Sequence, residues 1–162
     1  MSEYRLAEKP TLDALAALGY EPLSPEAAMA MRQEENRVIL KPVLVEALQS
    51  LNGMSAADAD AIYAELSTLS DNEEWQKRLR GAYTRKLTGE AQGRNIALIN
   101  FKQPERNRFH VVRQFRVAAQ RSRIADIVVF VNGIPLVVIE AKCPLKATAK
   151  AEEAFEQIKQ YE

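Results

Sequence analysis

Apolar positions along the first ninety residues recur at helical intervals. Leu12, Leu15 and Leu18 follow Glu8-Lys9-Pro10-Thr11 and run into Gly19, which predicts a helix with a glycine stop. Ser24-Pro25-Glu26 predicts the next start, because serine can cap free N–H groups and proline suits the first helical position. Val38, Ile39, Val43, Leu44, Leu48 and Leu51 keep helical spacing up to Asn52-Gly53, and Pro42 predicts a kink or a break near Leu40. Ser55 predicts a helix through Ile62, Leu66 and Leu69. Asp71 predicts another through Trp75, Leu79 and Tyr83.

Past Gly89 and Gly93 the period changes. Asn95 to Phe101 is a short apolar run, and Phe109 to Val117 alternates, with Phe109, Val111, Phe115 and Val117 on one face. Ile127 to Val131 and Leu136 to Ile139 are unbroken apolar runs of the kind found in strands buried on both faces. Asn132-Gly133 between them is a strong hairpin signal. Residues 147–162 return to helical spacing, with Ala151, Ala154, Phe155 and Ile158 as the apolar side. The pattern predicts an α/β chain: a mainly helical part over residues 1–90 packed on a β-β-β-β-α core over residues 91–162, together one compact domain.

Length and charge narrow the functions open to such a chain. Its 162 residues suffice for one domain. They exclude a two-lobed nucleotide-driven motor, which needs about 150 residues per domain. The 22 basic and 22 acidic residues cancel, so bulk electrostatics would not coat nucleic acid. Locally the balance differs. Lys102, Arg106, Arg108, Arg113, Arg116, Arg121 and Arg123 face a single acid, Glu105, within a short stretch. Such a stretch suits a phosphate backbone, with Arg108, Arg113, Arg116, Arg121 and Arg123 as contact candidates. No apolar run nears the ~18 residues of a membrane span, and no basic-then-apolar opening marks a secretory signal. One cysteine and one histidine make neither an internal disulfide nor a zinc site. A reducing, cytoplasmic setting is expected, with Cys143 a packed or partly exposed thiol and His110 an ordinary strand residue.

The chemistry concentrates around the hairpin. Glu140 and Lys142 are two apart, so in an extended strand they share a face. Ionised groups leaving an apolar sheet are costly unless paired or metal-bound. A plain Glu–Lys pair is one solution. With Asp126, two carboxylates and an ammonium also meet the needs of a hard divalent cation and an activated water. Register decides whether Asp126 takes part. A two-residue loop at Asn132-Gly133 sets Asp126 opposite Ile139, facing away from Glu140. A three-residue loop, Val131-Asn132-Gly133, sets it opposite Val138 and on the face of Glu140. The site therefore predicts an odd-length loop or a bulge near Asp126, whereas the turn dipeptide mildly favours the two-residue form.

Ile124-Ala125-Asp126 followed by Glu140-Ala141-Lys142 resembles the PD-(D/E)XK nuclease signature, with Ala125 where proline is usual. The stretches from Phe109 to Phe115 and from Asp126 to Lys142 are similar to one branch, the nuclease domain of the motor (R) subunit of type I restriction enzymes. That branch has a Gln-x-x-x-Tyr element on the next helix, matched by Gln157 and Tyr161. Ala7-Glu8-Lys9-Pro10 with Leu18-Gly19-Tyr20 resembles its first helix. The resemblance implies a restriction-endonuclease-like core, a mixed central sheet flanked by helices, with a helical N-terminal layer. It implies Mg²⁺ held by Asp126, Glu140 and the carbonyl of Ala141, with Lys142 acting on the attacking water and the phosphate. Glu8, Gln157 and Tyr161 would support the site; Gln114 matches the branch, but no chemistry follows for it. The implied activity is Mg²⁺-dependent cleavage of double-stranded DNA. The chain is expected to be an N-terminal fragment, with ATP serving only the full-length subunit and methylation and specificity subunits as partners. A free-standing repair or junction nuclease of the same superfamily, and an inert DNA-holding or docking module, are the alternatives.

Overall fold

A computed structural model of the chain describes residues 7–118, 123–142 and 150–159. Tyr161, Arg121, Cys143 and the expected helical residues 147–149 lie outside the described residues. The chain divides into two compact units. One comprises residues 1–36, 109–130 and 135–162; the other comprises residues 37–108 and 131–134.

In the first unit, α1 (Lys9–Ala17) leads to β1 (Glu21–Leu23) and α2 (Pro25–Arg32). The serine start is realised: Ser24 Oγ accepts from Ala27 N–H at 3.1 Å, with Pro25 just inside the helix. β4 (Phe109–Val117), β5 (Arg123–Val131), β6 (Ile134–Ile139) and α6 (Lys150–Lys159) follow, apart from residues 131–134 at the hairpin end, which belong to the second unit. The described sheet runs β1-β4-β5-β6. β1 lies parallel to β4, pairing Glu21 with His110 and Leu23 with Val112. The connections 118–122 and 132–133 are too short for a parallel return, so β4, β5 and β6 form antiparallel pairs and the sheet is mixed. Ile127 to Phe130 are buried, as expected for a central strand. β6 is not buried on both faces: it is the outermost described strand, and Leu136 and Val137 are exposed. Phe115 and Phe130 meet edge to face at 5.3 Å, and the buried Arg32 guanidinium lies 4.1 Å over the Phe115 ring.

The second unit holds α3 (Lys41–Asn52), α4 (Ala56–Thr68), α5 (Asn72–Leu79) and the paired short strands β2 (Thr84–Arg85) and β3 (Arg94–Asn95). Pro42 makes the expected break near Leu40 and no kink: it falls in the first turn of α3, where its missing N–H costs nothing, and Val38 to Leu40 stay outside. Ser55 and Asp71 cap as expected, Asp71 accepting from the N–H groups of Glu73 and Glu74. α5 ends at Leu79, so Tyr83 lies beyond it. The apolar run from Asn95 to Phe101 gives only the end of β3. Ile96 and Leu98 instead reach the core as irregular chain, held by Asn52, which donates to Ala97 O at 3.0 Å and accepts from Ala97 N–H at 2.8 Å. The core joins these residues to Leu44, Leu48, Ile62, Leu66 and Ile134.

Glu65 is a charge hub in this unit. Arg78 and Arg85 both pair with it, and the Tyr83 hydroxyl donates to it at 3.0 Å. Burial pushes its carboxyl up, but the hydrogen bonds from Arg78 and Tyr83 and the two guanidinium charges outweigh this and hold it below the ordinary 4.5. A carboxylate so depressed contributes stability above its unfolded value and loses it as pH falls through the folded one. Glu65→Gln should therefore unfold in less urea than the wild type near neutrality, and the gap should close below about pH 4.5. A gap that persists in acid would mean the hub acts through packing.

The hairpin turn comprises Asn132 and Gly133, with φ of 52° and 79°, two left-handed residues as a type I′ turn requires. The expected odd-length loop is thus overturned. Counting back from the closing pair Val131 and Ile134 sets Asp126 opposite Ile139. Asparagine and glycine adopt left-handed backbone at little cost, so the dipeptide's local preference prevails. Asn132 is wholly buried, donating to Leu98 O and Asn107 Oδ1 and accepting from Arg108 N–H.

Candidate active site

All described candidate site residues except Arg108 lie in the first unit. The extended ladder of β6 stops at Ile139, and Glu140, Ala141 and Lys142 continue outside it. This departure compensates for the even-length turn. Asp126, in the middle of β5, accepts at Oδ2 from Ala141 N–H at 2.9 Å. That amide joins Glu140 to Ala141, so Asp126 is tied to the peptide between the other two charged residues. Its second oxygen, Oδ1, accepts from Gln114 Nε2 at 3.4 Å. Gln114 has a φ of 51°, a left-handed interruption of β4. The irregularity expected near Asp126 therefore lies in the neighbouring strand and not in the hairpin.

The Glu140 side chain has no exposed surface, and its Oε2 lies 3.9 Å from Lys142 Nζ. Lys142 in turn donates to Gln157 Oε1 on α6 at 2.8 Å. A single chain of contacts thus links Glu140, Lys142 and Gln157, and a second links Gln114, Asp126 and the Ala141 main chain. Glu8 is not brought into either. It is buried at the N-cap of α1 and accepts from Arg113 Nε at 2.7 Å. The sequence offered no signal for that pairing, because residues 8 and 113 carry no shared local pattern.

The arginine candidates divide. Arg113 spans from Glu8 to solvent, Arg116 is exposed beside Gln114 and Phe115, and Arg123 opens β5 half-buried. Arg108 belongs to the second unit, where it pairs with Glu46 at 2.7 Å. His110 is buried in β4 with Nε2 3.6 Å from Glu21, a strand residue as expected.

Among the described residues no three acidic, histidine or cysteine side chains gather into a ready cation cage. Asp126, Glu140 and the Ala141 carbonyl offer only hard oxygen donors. Few protein ligands suit Mg²⁺, which keeps most of its waters and takes one or two carboxylates plus substrate phosphate oxygens. The donor set fits such an ion and would not fit zinc. No helix among the described residues is long and apolar enough to cross a membrane.

Comparison with known proteins covers the chain as a whole. The family described as Type I restriction enzyme R protein N terminus matches residues 1–162. The type I restriction enzyme HindI endonuclease subunit of Haemophilus influenzae is 33% identical over 170 residues, covering 95% of this chain and 16% of that protein. The putative type I restriction enzyme MjaIXP endonuclease subunit of Methanocaldococcus jannaschii is 29% identical over 173 residues, covering 96% of this chain and 16% of that protein. The type I restriction enzyme EcoprrI endonuclease subunit of Escherichia coli is 40% identical over 67 residues, 41% of this chain and 20% of that protein. The chain spans about a sixth of the length of the first two relatives. A family match along every residue, and a relative one-third identical across nearly the whole chain, give one conclusion: the chain belongs to the family of type I restriction enzyme R protein N-termini.

Proposed function

We propose that this chain is the Mg²⁺-dependent endonuclease module of a type I restriction enzyme R subunit, with a restriction-endonuclease-like core of the PD-(D/E)XK kind. The observation that carries the reading is the Asp126 carboxylate bonded to the Ala141 amide, between a fully buried Glu140 and Lys142. A carboxylate side chain with no exposed surface is the kind of group that is costly unless it is paired or metal-bound. Family membership supports the same assignment.

Asp126, Glu140 and the Ala141 carbonyl would hold the ion. A bound Mg²⁺ supplies charge compensation to the phosphodiester and acidifies water. Lys142, steadied by Gln157, keeps an ammonium near the Glu140 carboxylate, where it answers negative charge growing on the phosphate. Exposed arginines such as Arg116 contact the DNA backbone, which carries no base information, so the module cuts without sequence preference. Site choice then rests with specificity and methylation subunits, and ATP serves the remainder of the parent protein.

Titration calorimetry of Mg²⁺ and Mn²⁺ into this chain tests the reading. The wild type should bind a divalent ion, and Glu140→Ala should lose at least tenfold in affinity. Equal affinity in the two would leave an inert module of the same fold.

A further inference from the structure

We infer that Gln114 is a positioning residue that fixes the Asp126 carboxylate for cation binding, an inference that rests on the nuclease reading above. Three observations meet at this side chain. First, its φ of 51° is a conformation that residues with a Cβ rarely adopt, least of all within a strand. Such outliers persist where the surrounding structure holds them, and they gather at functional sites. Second, its amide donates to Asp126 Oδ1, while Ala141 N–H takes Oδ2. Both oxygens of the carboxylate are thereby oriented by neutral donors, one from each adjoining segment of chain. Third, neither donor neutralises the carboxylate, in contrast to Arg113, whose positive charge answers Glu8. Neutral N–H donors orient an acidic ligand and leave its charge for a cation. Hydrogen-bond donors behind a ligand routinely set its direction and affinity.

The neighbouring residues fit this assignment. Arg113 and Phe115 flank Gln114, and each is committed elsewhere, Arg113 to Glu8 and Phe115 to the Phe130 ring. Gln114 itself lines a partly open cavity of about 640 Å³ with Phe115, Arg116, Ile124 and α2 residues, so it is reached by solvent and not locked in the core. A residue that served packing alone would gain from an ordinary backbone conformation.

Two substitutions test the inference in this chain. Gln114→Gly removes the donor and relieves the left-handed conformation, and Gln114→Met removes the donor at nearly constant length. For Gln114→Gly, the thermal midpoint should stay at or above the wild-type value, while Mn²⁺ affinity measured by calorimetry falls about 10- to 100-fold. Gln114→Met should show the same loss of affinity whatever its midpoint. Wild-type affinity in either folded variant overturns the positioning role. Asp126→Ala separates the two claims. If it abolishes binding while the Gln114 variants bind normally, only the role of Gln114 fails. If it too binds normally, the nuclease reading itself fails.

Discussion

Lys142→Ala should silence DNA cleavage by about 10²- to 10³-fold while leaving divalent-ion binding intact or tighter. Lys142 is not a ligand in the proposed site. Its ammonium donates to Gln157 at 2.8 Å and lies 3.9 Å from the buried Glu140 carboxylate. Removing it takes away a positive charge that a divalent ion must otherwise share, so binding does not suffer. Cleavage suffers, because the ammonium no longer joins the ion in answering charge growing on the phosphate. The same removal takes one ammonium away from the buried Glu140 side chain. The metal-free variant should therefore melt at a lower temperature than the wild type, and saturating Mg²⁺ should raise both melting points, narrowing the gap where the variant binds the ion more tightly. The measurements are plasmid nicking by the full-length subunit in its complex, and melting of this chain with and without Mg²⁺. Undiminished nicking would remove Lys142 from the chemistry. Melting points that Mg²⁺ leaves unmoved in both proteins would mean that no ion occupies the site.

The second large effect concerns stability. Gly133→Ala should cost about 3 kcal/mol or more, a large fraction of the roughly 5–15 kcal/mol that holds a domain folded. A Cβ at this position would stand 2.6 Å from Leu40 O and 2.9 Å from Leu44 N, both main-chain atoms at the start of α3. Those atoms cannot move aside without unwinding the helix start, where Leu40 N–H also donates to Gly133 O at 2.9 Å. The φ of 79° adds the left-handed penalty. Gly53→Ala is the control. Its φ of 59° carries the same penalty, but open space surrounds it, so a loss of only about 1 kcal/mol is expected. Urea denaturation of the two variants separates backbone conformation from close approach. Equal losses would show that the contact with α3 contributes nothing.

What could be read from the sequence depended on how local the cause was. Ser24, Ser55 and Asp71 announced helix starts because a capping side chain bonds an amide two or three residues away. Asn132-Gly133 announced its turn for the same reason. The loop length was misjudged because it was inferred from the needs of the site and not from the turn's own backbone preference. Pro42 announced the break near Leu40 because it lacks the N–H a helix interior needs, although the apolar spacing of Val38 and Ile39 ran on past the helix start. β1 was invisible: three residues containing a proline have no periodicity, and their partners lie far along the chain. Within the candidate site, Glu140 and Lys142 could be named from their spacing, and Asp126 and Gln157 with them through the family resemblance. Their wiring through the Ala141 amide and the left-handed Gln114 could not, because main-chain direction leaves no trace in residue identity.

The parallel pairing of β1 with β4 has a consequence for biosynthesis. The register joins residue 21 to residue 110, and a ribosome adding roughly 5–20 residues per second needs about 5–18 s to travel those roughly 90 positions. Throughout that interval the first strand has been made and its neighbour has not. Early translation therefore yields an N-terminal segment waiting for a mate, while the stretch encoded between them can already collapse around Leu44, Leu48 and Ile62.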